Sequence, residues 1–454
     1  MKKILFLAAL CLTAAVFAAD SAAPAPAPFR PGEKALFFGD SITHNGRYLQ
    51  LTQLLLDLRG VRGTAMMNSG RSGGSATGGL PRIRHDVIGR GPDRVFVLFG
   101  MNDVGRSLYQ ENTPEKLKQR TARLGVYTRD QTKIVELLQN AGIKAVLMTP
   151  TAYDQYQPDG KSMHCNEPGL SDCAAIVRKL AKEKNLPVVE FHPYMTEMLK
   201  KHPDMHLCGR DLVHPLPVGH LVMASLILEQ LGMAGPVAEV ALDAVSGKAE
   251  AKFAQVSDVR TAADSISFRY APERMAFAIP NWAKDIEKIY PFREKFNGET
   301  LTVSGLKPGK YAVNAGKTAL GTFDAAELAK GIDLGQLDTP NFRRSKQAVK
   351  LLEQYGNIER TLRSLEMCRG IAAGFAPKTD RNDIAAVSAA LDKWYANLRP
   401  TNPALKYWAN TVKTYKEKAP KEAELNREYA GLRRAMAEAA VPEAYEITIQ
   451  KKEK

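Results

Sequence analysis

Between residues 33 and 235, short apolar runs alternate with stretches in which apolar residues return every three or four positions. The runs Ala35–Phe38, Ala65–Asn68, Arg94–Phe99, Lys144–Met148 and Pro187–Glu190 predict buried strands. Tyr48–Arg59, Asp130–Ala141 and Ser171–Asn185 predict helices. Strand–helix alternation of this length predicts an α/β unit: a parallel sheet with helices on both faces. In such sheets chemistry gathers at the carboxyl ends of the strands. The polar stretch 105–128 reads as a long insertion forming part of a cleft wall.

Beyond Gly235 the period changes. Ser265–Tyr270 and Glu299–Leu306 alternate apolar and polar residues, and Pro308–Lys317 suggests a strand and a tight turn; together they predict a small antiparallel β unit. From Thr339 the period becomes helical. Leu351, Leu352, Tyr355, Ile358, Leu362 and Leu365 form one stripe; Leu405, Trp408, Val412 and Tyr415 form another. Tyr445–Ile449 alternates again and is expected to rejoin the β unit as an edge strand. The expected organisation is a signal peptide (1–18), a Pro/Ala-rich linker (19–32), the α/β unit (33–235), a small β domain (236–325, with a strand from 444–450) and a helical region (326–454).

Composition refines this outline. The chain has 454 residues, 44% hydrophobic and 25% charged, as in ordinary globular proteins. Met1-Lys2-Lys3, an apolar run and Val16-Phe17-Ala18 make a secretory signal with cleavage after Ala18. Export to a periplasmic or extracellular location follows. Leu10 before Cys11 argues against a lipid anchor, and no segment is long and apolar enough to span a bilayer. The net charge of +14 is spread along the chain. It fits solvated lysines better than an anionic partner, and no nucleic-acid module is visible. Cys165, Cys173, Cys208 and Cys368 are compatible with a local bridge or with free buried thiols. Nothing in the sequence sets the oligomeric state.

Four strand ends carry chemistry-bearing residues. Gly39-Asp40-Ser41 follows the first strand, and a helix-like segment comes next. A serine there is lifted out of the sheet, with its N–H at a helix N-terminus. Asn68-Ser69-Gly70-Arg71-Ser72-Gly73 follows the second and Gly100-Met101-Asn102-Asp103 the third. Asp211-Leu212-Val213-His214-Pro215 comes after the last helical pattern. An aspartate three residues before a histidine can fix its tautomer and leave the other ring nitrogen for the Ser41 proton. The N–H groups of Ser41 and Gly70 and the Asn102 amide are candidate oxyanion donors.

These four blocks resemble those of the SGNH hydrolases, also called the GDSL esterases and lipases. The resemblance rests on Gly39-Asp40-Ser41-Ile42-Thr43, Gly70, Gly100-x-Asn102-Asp103 and Asp211-x-x-His214-Pro215. It implies a three-layer α/β/α flavodoxin-like fold with an appended β unit and C-terminal helices. It implies Ser41 as nucleophile, His214 as base, Asp211 as orienting acid, and Ser41, Gly70 and Asn102 as the oxyanion hole. Acyl transfer of this kind uses no metal or cofactor. Asp-x-Val-His-Pro followed by Gly219-His220 is similar to the family's sugar deacetylases, so a small-molecule or polysaccharide ester is the expected substrate. A lipase or phospholipase is the alternative enzyme. An envelope or glycan-binding protein with an inactive core is the alternative of another class.

His44, Arg71 and Tyr153 are candidate substrate contacts by position. His202 and His206 are spaced for zinc on a helix, but Pro203 interrupts it and no third ligand is evident. His220 reads as structural.

Overall fold

The computed structural model describes residues 23–157, 163–402 and 404–453. The expected signal peptide lies outside them. The first sheet contains β1 (Lys34–Gly39), β2 (Ala65–Gly70), β3 (Arg94–Leu98), β4 (Lys144–Met148) and β5 (Val188–Val189). Their order is β2-β1-β3-β4-β5, and every neighbouring pair is parallel. Leu36, Phe37, Val95, Phe96, Val146 and Leu147 are buried, because helices cover both faces. Phe37 and Phe96 are register partners, and their rings stack at 4.7 Å. The chain order reverses between β2 and β3 on either side of β1, so the crevice beyond the ends of β1 and β3 is where a ligand fits.

Two local expectations change. The polar stretch 105–128 is mostly helix: a single helix runs from Pro114 to Asn140. Thr113 accepts a hydrogen bond from the Lys116 N–H, and Pro114 takes the first helical position. Exposed polar residues along its first half hide the apolar period. Part of the Pro/Ala tract is anchored, too. Phe29 is buried with its ring 5.5 Å from that of Phe96, and Arg94 donates to the Ala27 carbonyl at 2.5 Å.

The second half holds two further sheets. β6 (Ala238–Asp243) and β7 (Ala249–Lys252) share one with β10 (Glu299–Ser304) and β13 (Ile332–Asp333). β8 (Ala254–Ala262), β9 (Ser265–Pro272), β11 (Lys310–Ala315), β12 (Thr318–Asp324) and β14 (Tyr445–Lys451) make the other. A common core of Phe268, Tyr270, Leu301, Val303, Val313, Ile447 and Ile449 joins them. The β6–β10 pair is parallel, so this region is not wholly antiparallel. β14 is not an edge strand: it lies between β11 and β9. Tyr445, Ile447 and Ile449 all face the inner core, which a central position satisfies.

The helices run Pro340–Phe375, Ile384–Ala396, Leu405–Lys418 and Glu422–Ala439. Ala348, Leu352 and Tyr355, in the first half of the long helix, join the core of the α/β unit. Leu365, Cys368 and Ile371, in its second half, pack with Val387, Leu391 and Val412. The long helix therefore ties the C-terminal helices to the α/β unit. Cys165, Cys173, Cys208 and Cys368 are buried free thiols. Among the described residues no helix is long and apolar enough to cross a membrane.

Candidate active site

Ser41 opens the short helix Ser41–Asn45 directly after β1. The turn before it is crowded. A Cβ on Gly39 would sit 2.3 Å from Thr43 Oγ1 and 2.7 Å from the Leu98 carbonyl oxygen, so only glycine fits. Asp40 caps the helix by accepting from the Ile42 N–H at 2.9 Å.

The Asp211–His214 loop comes to meet this turn. Leu212 adopts φ 61°, a left-handed conformation that costs a branched side chain energy and recurs at functional loops. The Asp154 N–H holds the Leu212 carbonyl at 2.9 Å, and the Gly209 N–H holds the His214 carbonyl at 2.8 Å. His214 Nε2 then lies 2.7 Å from Ser41 Oγ. His214 Nδ1 lies 2.5 Å from Asp211 Oδ2. Asp211 Oδ1 accepts from the Val213 and His214 N–H groups at 3.0 Å each. Partial burial works against ionisation of Asp211, but the His214 bond and these two N–H groups prevail, holding its carboxyl well below the usual range. A charged aspartate facing Nδ1 fixes the ring with its proton on that nitrogen. Nε2 is then the acceptor facing the serine.

Residues 37–222 match the model of the GDSL-like lipase/acylhydrolase family. The α/β unit belongs to that family. The chain is accordingly an ester-bond hydrolase. An acetylxylan esterase from Geobacillus stearothermophilus is 28% identical to it over 220 residues, which is 44% of this chain and 94% of that relative. A solved structure described as a gut microbial diltiazem-metabolizing enzyme aligns with 95% of this chain and 100% of its own, with a TM-score of 0.82 and 26% identity. A catalytic mutant of the Geobacillus esterase covers 45% of this chain and 96% of its own, with a TM-score of 0.37 and 26% identity.

Ser41 and His214 open onto a cavity of about 440 Å³. Ser41, His44, Ser72 and His214 line one side of it. The long helix and the Leu405–Lys418 helix line the other with Asn357, Arg360, Thr361, Ser364, Tyr407 and Asn410. Tyr407 reaches across and donates to Ser72 Oγ at 2.7 Å. These wall residues escape sequence reading, because nothing in a helical period says which earlier loop a helix will cover. A larger cavity of about 1090 Å³ lies behind β2, between Asn68, Arg90, Tyr355 and Arg434, and contains neither Ser41 nor His214.

The other expected site residues divide. Gly70 does not offer its N–H to the crevice: that group donates to Asn68 Oδ1 at 2.8 Å. Glycine is needed there because a Cβ would lie 2.0 Å from the His44 nitrogen. Gly73, three residues on at φ 69°, has an N–H with no acceptor among the described residues. Asn102 Nδ2 donates once, to the Gly74 carbonyl at 2.8 Å, leaving its second N–H. His44 does line the cavity, with Nε2 3.2 Å from Ser364 Oγ, and burial pushes its pKa down to about 3, so it is neutral. Arg71 borders a different cavity, beside Arg363 and Gly370. Tyr153 is buried at 2% exposure away from the crevice, with its N–H held by Asn166 Oδ1 at 2.9 Å. His220 is buried and stacks on Tyr48 at 6.2 Å. No cluster of three or more metal-ligating side chains occurs among the described residues, at His202 and His206 or elsewhere.

The turn before Ser41 has a pH signature. Burial pushes the Asp40 carboxyl up to about 7, against the pull of its Ile42 hydrogen bond. The folded chain thus holds a proton that the unfolded chain releases near pH 4. Stability from this group is present below that value and falls as pH rises to about 7. Asp40→Asn keeps the cap acceptor and removes the titration. Its urea midpoint should fall less between pH 4 and 7 than that of the parent protein; an equal fall contradicts this assignment.

Proposed function

We propose that the chain is an exported serine esterase that removes acetyl or other short acyl groups from a small hydroxylated carrier, a saccharide foremost. The observation that carries this reading is the continuous relay from Ser41 Oγ through His214 to Asp211, at 2.7 and 2.5 Å, opening into a cavity lined mostly by polar side chains. His214 Nε2 takes the Ser41 proton as Oγ attacks the ester carbonyl. The alkoxide of the carrier leaves with that proton, and an acyl-Ser41 ester remains. Water, deprotonated by the same nitrogen, releases the carboxylic acid. Asp211 stays ionised and stabilises the imidazolium. The oxyanion is received by the Ser41 N–H, the second Asn102 N–H and, in place of Gly70, the Gly73 N–H.

The saccharide part rests on the cavity walls and on one relative. Asn45, Asn357, Thr361, Asn410 and Thr414 supply amide and hydroxyl groups where a long acyl chain needs apolar ones. The Geobacillus relative is named an acetylxylan esterase, but its matched part is under half of this chain. The full-length likeness is to an enzyme named for metabolizing a small molecule. A small acyl ester therefore suits the covered cavity better than a polymer.

A series of p-nitrophenyl esters tests this. Acetate should be cleaved with the highest kcat/KM, and octanoate about tenfold or more below it, since each extra methylene meets a polar wall. A preference for octanoate overturns the short-acyl reading in favour of a lipase. No cleavage of any ester above background overturns the enzyme reading of the site in favour of an inactive core.

A further inference from the structure

We infer that Arg360 is the group by which the cavity recognises an oxyanion on the carrier of the acyl group, so that the substrate is an O-acylated acid such as an acylated sugar acid. The inference rests on the esterase reading above and names the substrate class of the same site.

Arg360 lines the cavity that holds Ser41 and His214, on the opposite wall. It differs from the other arginines of the same helix. Arg343 pairs with Asp338 at 2.7 Å, Arg363 with Asp86 at 2.6 Å, Arg344 with Glu443 and Arg369 with Glu422. Among the described residues no carboxylate lies within 4.0 Å of Arg360. Its hydrogen bond goes to the neutral Asn357 Oδ1 at 2.5 Å, one turn away. The acids nearby are committed elsewhere. Glu353 pairs with Arg47, and Glu359 accepts from Gln50 at 3.1 Å and Asn68 at 3.4 Å.

A half-buried cation without a direct ion pair is costly to maintain. Desolvation acts on Arg360 and the like charge of Arg47 adds to it; Glu359 and Glu353 pull the other way without outweighing them, so its pKa is lowered from the usual arginine value. A bound oxyanion offsets both penalties. The planar guanidinium presents paired donors that match a carboxylate or phosphate two-to-two. Tyr407 and Ser72 join at 2.7 Å across the cavity wall, which favours a short carrier over a through-running polymer.

The test is competition against p-nitrophenyl acetate by D-glucuronate, D-glucose 6-phosphate and D-glucose. Glucuronate should inhibit at a concentration tenfold or more below that of glucose. Arg360→Gln should reduce this ratio to near one, and Arg360→Lys should restore part of it. Equal inhibition by all three, or an unchanged ratio in Arg360→Gln with a parent-like melting curve, overturns the inference. Stronger inhibition by glucose 6-phosphate overturns the sugar-acid assignment. Each of these outcomes leaves Ser41-dependent hydrolysis standing. Hydrolysis that persists in Ser41→Ala instead overturns the esterase mechanism itself.

Discussion

Ser41→Ala should lower kcat for p-nitrophenyl acetate by on the order of 10⁴-fold or more while leaving the melting temperature within a few degrees of the parent. The loss is large because the hydroxyl supplies the bond that forms; the remaining groups can only orient water. The fold should survive because Ser41 Oγ faces His214 and the cavity and closes no packing gap. His214→Gln should lose a similar factor, and combining the two should add little, since residues that act as a unit fail together. Steady-state rates of the three variants, with circular dichroism melts, check this. A double variant whose loss equals the product of the single losses contradicts a shared proton path.

Asp86→Ala should remove about 3–5 kcal/mol of stability, because it leaves the buried Arg363 and the partly buried Arg82 without their counter-charge. Asp86 holds Arg363 through two contacts of 2.6 Å and Arg82 through another of 2.6 Å. Burial alone would raise the Asp86 pKa, but Arg363 and Arg82 outweigh it and bring it down to about 2. Stability from this group is therefore present above about pH 4 and lost as pH falls toward 2. The same arginines hold the carboxyl ends of β1 and β2. Arg363 Nε donates to the Gly70 carbonyl at 2.6 Å, and Arg82 donates to those of Ser69 at 2.7 Å and Gly39 at 2.9 Å. Activity should fall as well, since Gly39 and Gly70 flank the Ser41 turn. Urea unfolding at pH 7, paired with esterase rates, reads both effects. A change below about 1 kcal/mol would mean that this cluster does not couple the long helix to the acylhydrolase unit.

Both effects run through contacts of unequal legibility in the sequence. The β1 strand and its Gly39-Asp40-Ser41 turn are plain, because a buried parallel strand must be apolar and must stop at a turn residue. The Asp211-to-His214 spacing is plain for the same local reason. The choice between Gly70 and Gly73 is not local. Gly70 ends β2 and Gly73 lies in the turn after it; the Asn68 side chain takes the Gly70 N–H, and no local pattern shows that. The Pro114–Asn140 helix is hidden by its exposed polar face. β14 reads as an edge strand because its alternation shows one buried face and says nothing of which neighbours flank it; β9 and β11 lie more than a hundred residues away. The wall formed by Arg360, Ser364 and Tyr407 is the least legible part. Its stripes of Tyr355, Ile358 and Leu362 predict helices, but the polar residues beside them gain meaning only once a loop some 300 residues earlier lies beneath.

The central claim is that Ser41 forms the acyl bond. Intact-mass and peptide analysis after treatment with a fluorophosphonate measures it most directly. The account predicts one adduct per chain, on the peptide containing Ser41, with esterase activity lost in the same proportion and no adduct in Ser41→Ala. Labelling at another serine, or full activity in chains labelled at Ser41, would contradict it.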